Sequence, residues 1–291
     1  MPRPSRSPLL ALLFLISLAC PIIGQAGDFT VTTDVVYGHK AGMALTYDVI
    51  RPKEQNGAAL LFIVSGGWFS NWTPVEQYVK EKRQTPNLWE TAVDKGYTLI
   101  LVRHGSAPYF KIPDAVSDVR RAVRFIRLHA DDYGIDPHRI GVFGFSAGGH
   151  LTLVLATTGD DGQQDSPDPV DRVSSRIAAA APVVAPTKLQ DLMHLKERFT
   201  AMQIPEDQVT LFSPLLQVTS DDAPAMIIHG GKDDLVPPDH SERLAKAYEA
   251  AGVAHDLLII EGAGHGFKGI ELVQMQEAML NWFDKHLQPQ K

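Results

Sequence analysis

The chain has almost no cysteine: one thiol, Cys20, in 291 residues. One thiol forms no internal disulfide and no cysteine-ligated zinc site. Basic residues are also in short supply. Lys and Arg number 27 against 34 Asp and Glu, a net charge of −7. A nucleic-acid binder needs a basic face to meet phosphates, so that class is excluded. Past the N-terminal segment no apolar run approaches the roughly 18 residues of a membrane-spanning helix. There is no internal repeat, and no linker rich in Pro, Gly and Ser divides the chain. With 44% hydrophobic and 21% charged residues, the composition excludes disorder and collagen-like repeats. What remains is one large globular domain.

Residues 1–26 read as an address and not as part of that domain. Arg3 and Arg6 give a positive start, and Leu9 to Ala19 (LLALLFLISLA) is an apolar run of signal-peptide length. Gly24-Gln25-Ala26 puts small residues where a leader peptidase reads, which predicts cleavage after Ala26 and a secreted or periplasmic chain of 27–291. Losing both arginines would take the net charge from −7 to −9. Acylation of Cys20 as a lipoprotein is the lesser alternative, because Ser17 suits that processing poorly.

The rest alternates strand-like and helix-like segments. Phe29–Tyr37 and Ala44–Ile50 have partial period-two alternation. Leu60–Val64, Tyr97–Val102 and Ile140–Phe145 are apolar throughout, as strands covered on both faces should be. Ile177–Val184, Ala225–His229 and Asp256–Ile260 follow. Helical patterns fall at Asn87–Lys95, Asp114–Asp131, Ala147–Thr157, Asp239–Ala251 and Leu272–His286. This order predicts an α/β fold with a mostly parallel central sheet of about eight strands and helices on both faces. Two stretches break the rhythm. Gly159–Ser175 is polar and acidic; its spacing is not that of a calcium loop, and it reads as a solvated surface loop. Residues 186–222, with a short helical pattern around Leu189–Thr200, lie between two strands at the end of the sheet where ligands bind, a candidate lid or pocket wall.

Gly144-Phe145-Ser146-Ala147-Gly148 matches G-x-S-x-G. A buried strand runs into it and a helix runs out. The turn between them must be tight, with Ser146 strained and small residues two before and two after it allowing strand and helix to approach. A serine hydroxyl is a weak nucleophile at neutral pH and needs a base. Of eleven histidines, most have bland placements; His150, four residues past the serine, should point along the helix. His265 differs, lying in Gly262-Ala263-Gly264-His265-Gly266-Phe267 just after the last strand. The carboxylate that would orient it follows the preceding strand, where Asp233 and Asp234 are adjacent. Local chemistry leaves these two nearly even.

GFSAGG at 144–149, HGGKDDLVP at 229–237 and GAGHGF at 262–267, with the run Asp118–Ile140, carry a family resemblance. The chain resembles an α/β-hydrolase of the esterase/lipase superfamily. It is nearest the branch of secreted bacterial carboxylesterases related to hormone-sensitive lipase, acetyl esterases and feruloyl-esterase-like enzymes. The resemblance implies a serine carboxylesterase with a Ser146–Asp233–His265 triad in the hydrolase order, and it chooses Asp233 over Asp234. It implies no cofactor and no metal. The family's His-Gly-Gly-Gly segment stands here as Ser65-Gly66-Gly67-Trp68. By resemblance the oxyanion donors are the N–H of Gly67 or Trp68 plus that of Ala147, with the Trp68 indole swung aside.

Trp68, Phe69, Trp72, Tyr109 and Phe110 lie in loops expected near the serine, where rings either stack on sugar or phenolic groups or pack beneath a loop. A leader and an esterase triad together suit acetyl, feruloyl or other short acyl esters, small or attached to a polysaccharide. Two other readings share the fold. A prolyl-oligopeptidase-like peptidase uses the same arrangement but usually carries a large gating domain. A non-catalytic binding protein usually lacks one of the three residues.

Overall fold

The computed structural model describes residues 23–26, 29–79 and 87–289, the first four as backbone alone. Its strands are β1 (Ile23–Ala26), β2 (Phe29–Lys40), β3 (Met43–Pro52), β4 (Ala59–Ile63), β5 (Thr98–Val102), β6 (Ile140–Phe145), β7 (Ala179–Val183), β8 (Ala225–Gly230) and β9 (His255–Ile260). Its helices are α1 (Glu76–Val79), α2 (Leu88–Asp94), α3 (Ile112–Leu128), α4 (Ala130–Tyr133), α5 (Ala147–Thr157), α6 (Glu206–Leu211), α7 (Asp239–Ala251) and α8 (Ile270–His286). One sheet results, ordered β1-β2-β3-β5-β4-β6-β7-β8-β9. β1, β2, β3 and β5 pair antiparallel, and every pairing from β5 to β9 is parallel.

This is the α/β-hydrolase architecture the sequence predicts, with one strand more than expected. The extra strand is β1, which covers the outer edge of β2. Cleavage after Ala26 would remove it and leave eight. The remainder of the expected leader, residues 1–22 with Cys20, lies outside the described residues.

The wholly apolar segments form the middle of the sheet because each of their faces meets a helix layer. Leu61, Ile63, Ile100 and Val142 face α3, α5 and α7; Leu60, Leu99, Leu101 and Phe143 face α1, α2 and α8. Fully burying an aliphatic side chain of this size contributes about 1.5–3 kcal/mol. On α3 the expected stripe of Val116, Val119, Ala122, Val123 and Ile126 is buried. That helix starts two residues earlier than the pattern suggests, where Asp114 accepts the Lys111 N–H at 3.0 Å. It ends at Leu128; α4 is a separate turn closed by Gly134 at φ 66°.

Gly159–Ser175 is the surface loop expected, and the opposite side of α3 supplies its carboxylates with partners. Arg121 pairs with Asp168 at 2.7 Å and Arg124 with Asp160 at 2.5 Å, while Arg127 donates to the carbonyls of Ser174 and Arg176. The loop's acidity is matched to the arginine face of the helix beside it. Residues 186–222 fold as three short 3₁₀ turns and α6. They pack through Leu189, Leu192, Ala201, Met202 and Val209 onto the same core as α5.

Candidate active site

The centre of the sheet delivers Ser146. β6 lies between β4 and β7, and the chain turns directly from it into α5. Ser146 sits in that turn at φ 54° and ψ −117°, a conformation a side chain rarely adopts. Its N–H donates to the Val183 carbonyl at 2.9 Å, and its own carbonyl accepts the His150 N–H at 2.9 Å. The glycines are needed for close approach. A Cβ on Gly144 would lie 2.5 Å from the Gly148 carbonyl carbon and oxygen, and one on Gly148 would lie 2.6 Å from the Ile63 carbonyl oxygen. Strand, helix and the end of β4 are thus in backbone contact around the serine.

The next two groups come from the ends of β8 and β9. The turns after these strands are joined by the Lys232 N–H, which donates to the Ala263 carbonyl at 2.8 Å. This places His265 between the other two side chains. The Ser146 Oγ and His265 Nε2 are 2.8 Å apart, and His265 Nδ1 is 2.7 Å from Asp233 Oδ2. Asp234, left open by local chemistry, is exposed, whereas Asp233 is buried.

Asp233 is held from several directions. Its Oδ1 accepts the N–H groups of Leu235 and Val236, each at 3.0 Å. Its Oδ2 also lies 3.3 Å from Nε2 of His229. That second imidazole is fully buried; Nε2–H donates to the Val236 carbonyl at 2.8 Å, and Nδ1 accepts from Ser241 Oγ at 2.6 Å. Burial pushes the Asp233 carboxyl up. Hydrogen bonds from His229, His265 and the Val236 N–H outweigh that effect and hold it well below the usual carboxylate range. The carboxylate therefore stays ionised beside the His265 ring. His229 is a site residue that sequence reasoning missed; the only signal for it is a histidine closing the otherwise apolar strand AMIIH.

The Ser65–Trp68 segment follows β4 and abuts the start of α5. Gly66 and Phe69 exchange backbone hydrogen bonds at 2.9 and 3.0 Å, closing a tight turn with Gly67 at φ 58° and Trp68 at φ 61°. Two successive positive φ values are the mark of a mirror-image hairpin turn, which glycine enters freely and tryptophan does not. Among the described residues no protein acceptor meets the N–H of Gly67, Trp68 or Ala147. Ser65, standing where the family has histidine, contacts an imidazole from elsewhere: its Oγ is 2.9 Å from Nε2 of His104, just past β5. Burial lowers the pKa of that ring to about 4.

The expected aromatic group divides. Phe69, Trp72 and Tyr109 are exposed, by 38%, 61% and 90%. Trp68 does not join them, which corrects its reading as a substrate contact through its ring. Its indole is 3% exposed and turned inward against His150 and Phe199. Left-handed backbone at residue 68 directs the side chain into the core, away from the surface its neighbours occupy. His150, whose reading went no further than its direction along the helix, is completely buried, and burial lowers its pKa to about 4.

The model of the BD-FAE family matches residues 47–248, more than two thirds of the chain and most of the elements just described. The chain belongs to the BD-FAE family. It is 28% identical to ethyl acetate hydrolase of Pseudomonas putida over 84% of this chain and 78% of that one. It is 25% identical to esterase LipC of Mycobacterium tuberculosis over 80% of this chain and 59% of LipC. Among solved structures it superposes on a truncated carbohydrate esterase from gut microbiota with a TM-score of 0.72, at 26% identity, covering 91% of this chain and 99% of the other. The chain spans about half the length of the mycobacterial relatives it matches, 50–59% in three of them.

Proposed function

We propose that this BD-FAE member is a serine carboxylic ester hydrolase acting through an acyl-enzyme. The observation that supports this most is the hydrogen-bonded series Ser146 Oγ, His265, Asp233, with links of 2.8 and 2.7 Å. His265 Nε2 accepts the Ser146 proton as Oγ attacks the ester carbonyl, and Asp233 holds the ring with Nδ1 protonated and stabilises the imidazolium. The N–H groups of Ala147 and of the Gly67–Trp68 turn receive the oxyanion. His265 then protonates the departing alcohol, and water activated by the same nitrogen releases the acid. Each step uses side chains and backbone of this chain.

The substrates we propose are acetyl, feruloyl and other short acyl esters, small or attached to polysaccharide. Relatives named for ethyl acetate and for carbohydrate esters support that class. Exposed Phe69, Trp72 and Tyr109 are the rings available to a sugar or phenolic group. Residues 186–222 form the pocket wall, with the Phe199 ring filling the space where a Cβ on Gly67 would lie. The leader reading places the mature enzyme outside the cytoplasm.

Purified protein should hydrolyse p-nitrophenyl acetate, and Ser146→Ala should lower turnover by about 10⁴-fold or more with an unchanged circular dichroism spectrum. Turnover retained in that folded variant would overturn the assignment. A proline amide hydrolysed faster than the acetate would favour the peptidase alternative.

A further inference from the structure

Both nitrogens of the buried His150 ring are engaged. The Trp68 indole N–H donates to Nδ1 at 3.3 Å, and Nε2–H donates to the Phe212 carbonyl at 2.7 Å. One imidazole therefore joins three pieces of the site: α5 behind Ser146, the turn carrying Gly67 and Trp68, and the 186–222 wall. Lowered basicity from burial keeps the ring neutral, with Nδ1 free to accept.

The turn needs such an anchor. A bulky residue at φ 61° relaxes toward ordinary backbone unless its surroundings hold it. The Gly66–Phe69 pair closes the turn and the Trp68 carbonyl is tied to the Ala107 N–H at 3.1 Å, but these contacts hold backbone alone and leave the Trp68 side chain to be fixed by others. Its ring stands edge-on to His150 with centroids 5.5 Å apart, and His150 supplies the one hydrogen-bond acceptor the indole has among the described residues. Relaxation of residue 68 out of the left-handed region that swings its Cα–Cβ bond would carry the indole off that acceptor and leave its N–H buried and unpaired.

We propose that His150 is a positioning residue for the oxyanion turn: by accepting the Trp68 indole N–H it fixes the left-handed conformation that aims the backbone N–H groups of Gly67 and Trp68 over Ser146. This rests on the esterase reading above. His150 touches no substrate, and its effect is felt in the transition state, when charge develops on the ester oxygen.

Two amides separate the ring's two contacts. In His150→Asn the side-chain oxygen lies near the place of Nδ1 and can accept from the indole. In His150→Gln the amide nitrogen reaches the place of Nε2 and keeps the Phe212 contact alone. With p-nitrophenyl acetate, His150→Gln should lower kcat by about 10–100-fold, short of the loss of a whole oxyanion donor, with KM changed less than about 2-fold. His150→Asn should restore most of that loss. Trp68→Phe keeps the ring packing and removes only the indole N–H. It should lower kcat similarly, and adding His150→Gln to it should cost little more. A trifluoromethyl ketone, which forms a tetrahedral oxyanion on serine, should lose affinity in parallel with kcat in Trp68→Phe. That second measurement decides the question if the His150 variants do not fold.

Equal kcat in His150→Asn, His150→Gln and wild type would overturn the positioning role. So would full kcat and full ketone affinity in Trp68→Phe. Wild-type protein that neither hydrolyses the ester nor takes up a fluorophosphonate at Ser146 would overturn the esterase reading itself, and the role of His150 with it.

Discussion

At the scale of single residues, Asp233 lies buried 2.7 Å from His265 Nδ1 while Asp234 beside it is exposed. Adjacent identical side chains differ only in which way the backbone turns, and that turn is set by distant partners. The Asp233 N–H donates to Gly230, the Lys232 N–H reaches Ala263, and a Cβ on Gly230 would collide with the Gly264 carbonyl at 2.1 Å. Spacing cannot reveal this; the family motif could, because it records the outcome of the same constraint. Asp233→Asn should reduce kcat by about 10⁴-fold, since the ring then loses its orienting acceptor. Asp234→Asn, at an exposed position, should stay within about 2-fold of wild type. Steady-state kinetics on the two variants would compare them directly, and a larger loss at 234 would reverse the assignment. His229 and His150 were hidden for a related reason: a histidine in an apolar segment gives no hint of which buried acceptor or donor it meets.

At the scale of elements, the regular ones were legible and the irregular ones were not. β6, α5 and α7 begin and end where the pattern puts them, because a wholly apolar strand, a glycine-flanked serine and a helix closed by Gly252 at φ 72° each carry their boundaries locally. Residues 186–222 carry only the short helical pattern around Leu189–Thr200, which folds as 3₁₀ turns at Leu189–Leu195 and Thr200–Met202. Their short turns are fixed by partners far along the chain: within the segment Ser213 Oγ accepts the Leu189 N–H at 3.0 Å, and outside it the buried His240 ring accepts the Thr187 N–H at 3.2 Å. The strand–helix turn at Ser146 is a tight local constraint. Gly144→Ala would press a methyl group against the Gly148 carbonyl, where only backbone could yield. We expect it to lower unfolding free energy by about 1–3 kcal/mol or more, measured by urea denaturation. A variant as stable as wild type would show that β6 and α5 can separate.

For the molecule as a whole, buried neutral histidines make stability depend on pH. Burial lowers the pKa of both His104 and His150 to about 4, against an ordinary value of 6.5. The unfolded chain takes up protons below about pH 6.5, while the folded chain refuses them until about pH 4. Stability should therefore be greatest above that window, decline as pH falls through it, and level off for these groups below it, each costing about 3 kcal/mol in full. Denaturant midpoints at pH 7, 5.5 and 4.5 would test this, and a flat profile would contradict it. If residues 1–26 act as a leader, exported protein should begin at Gly27 on N-terminal sequencing; a start at Cys20 carrying lipid would support the lipoprotein alternative, and an intact N-terminus would overturn the leader reading. The fold also sets where change can be accommodated. Every residue of α5 is buried, wedged among sheet, α3 and the 186–222 wall, with backbone touching backbone at its first turn. Evolution has no spare face there on which to experiment. Homologues that diverge in the esters they accept should differ in the loops after β4 and β5 and in the wall, while the helix behind the serine passes nearly unaltered from one to the next.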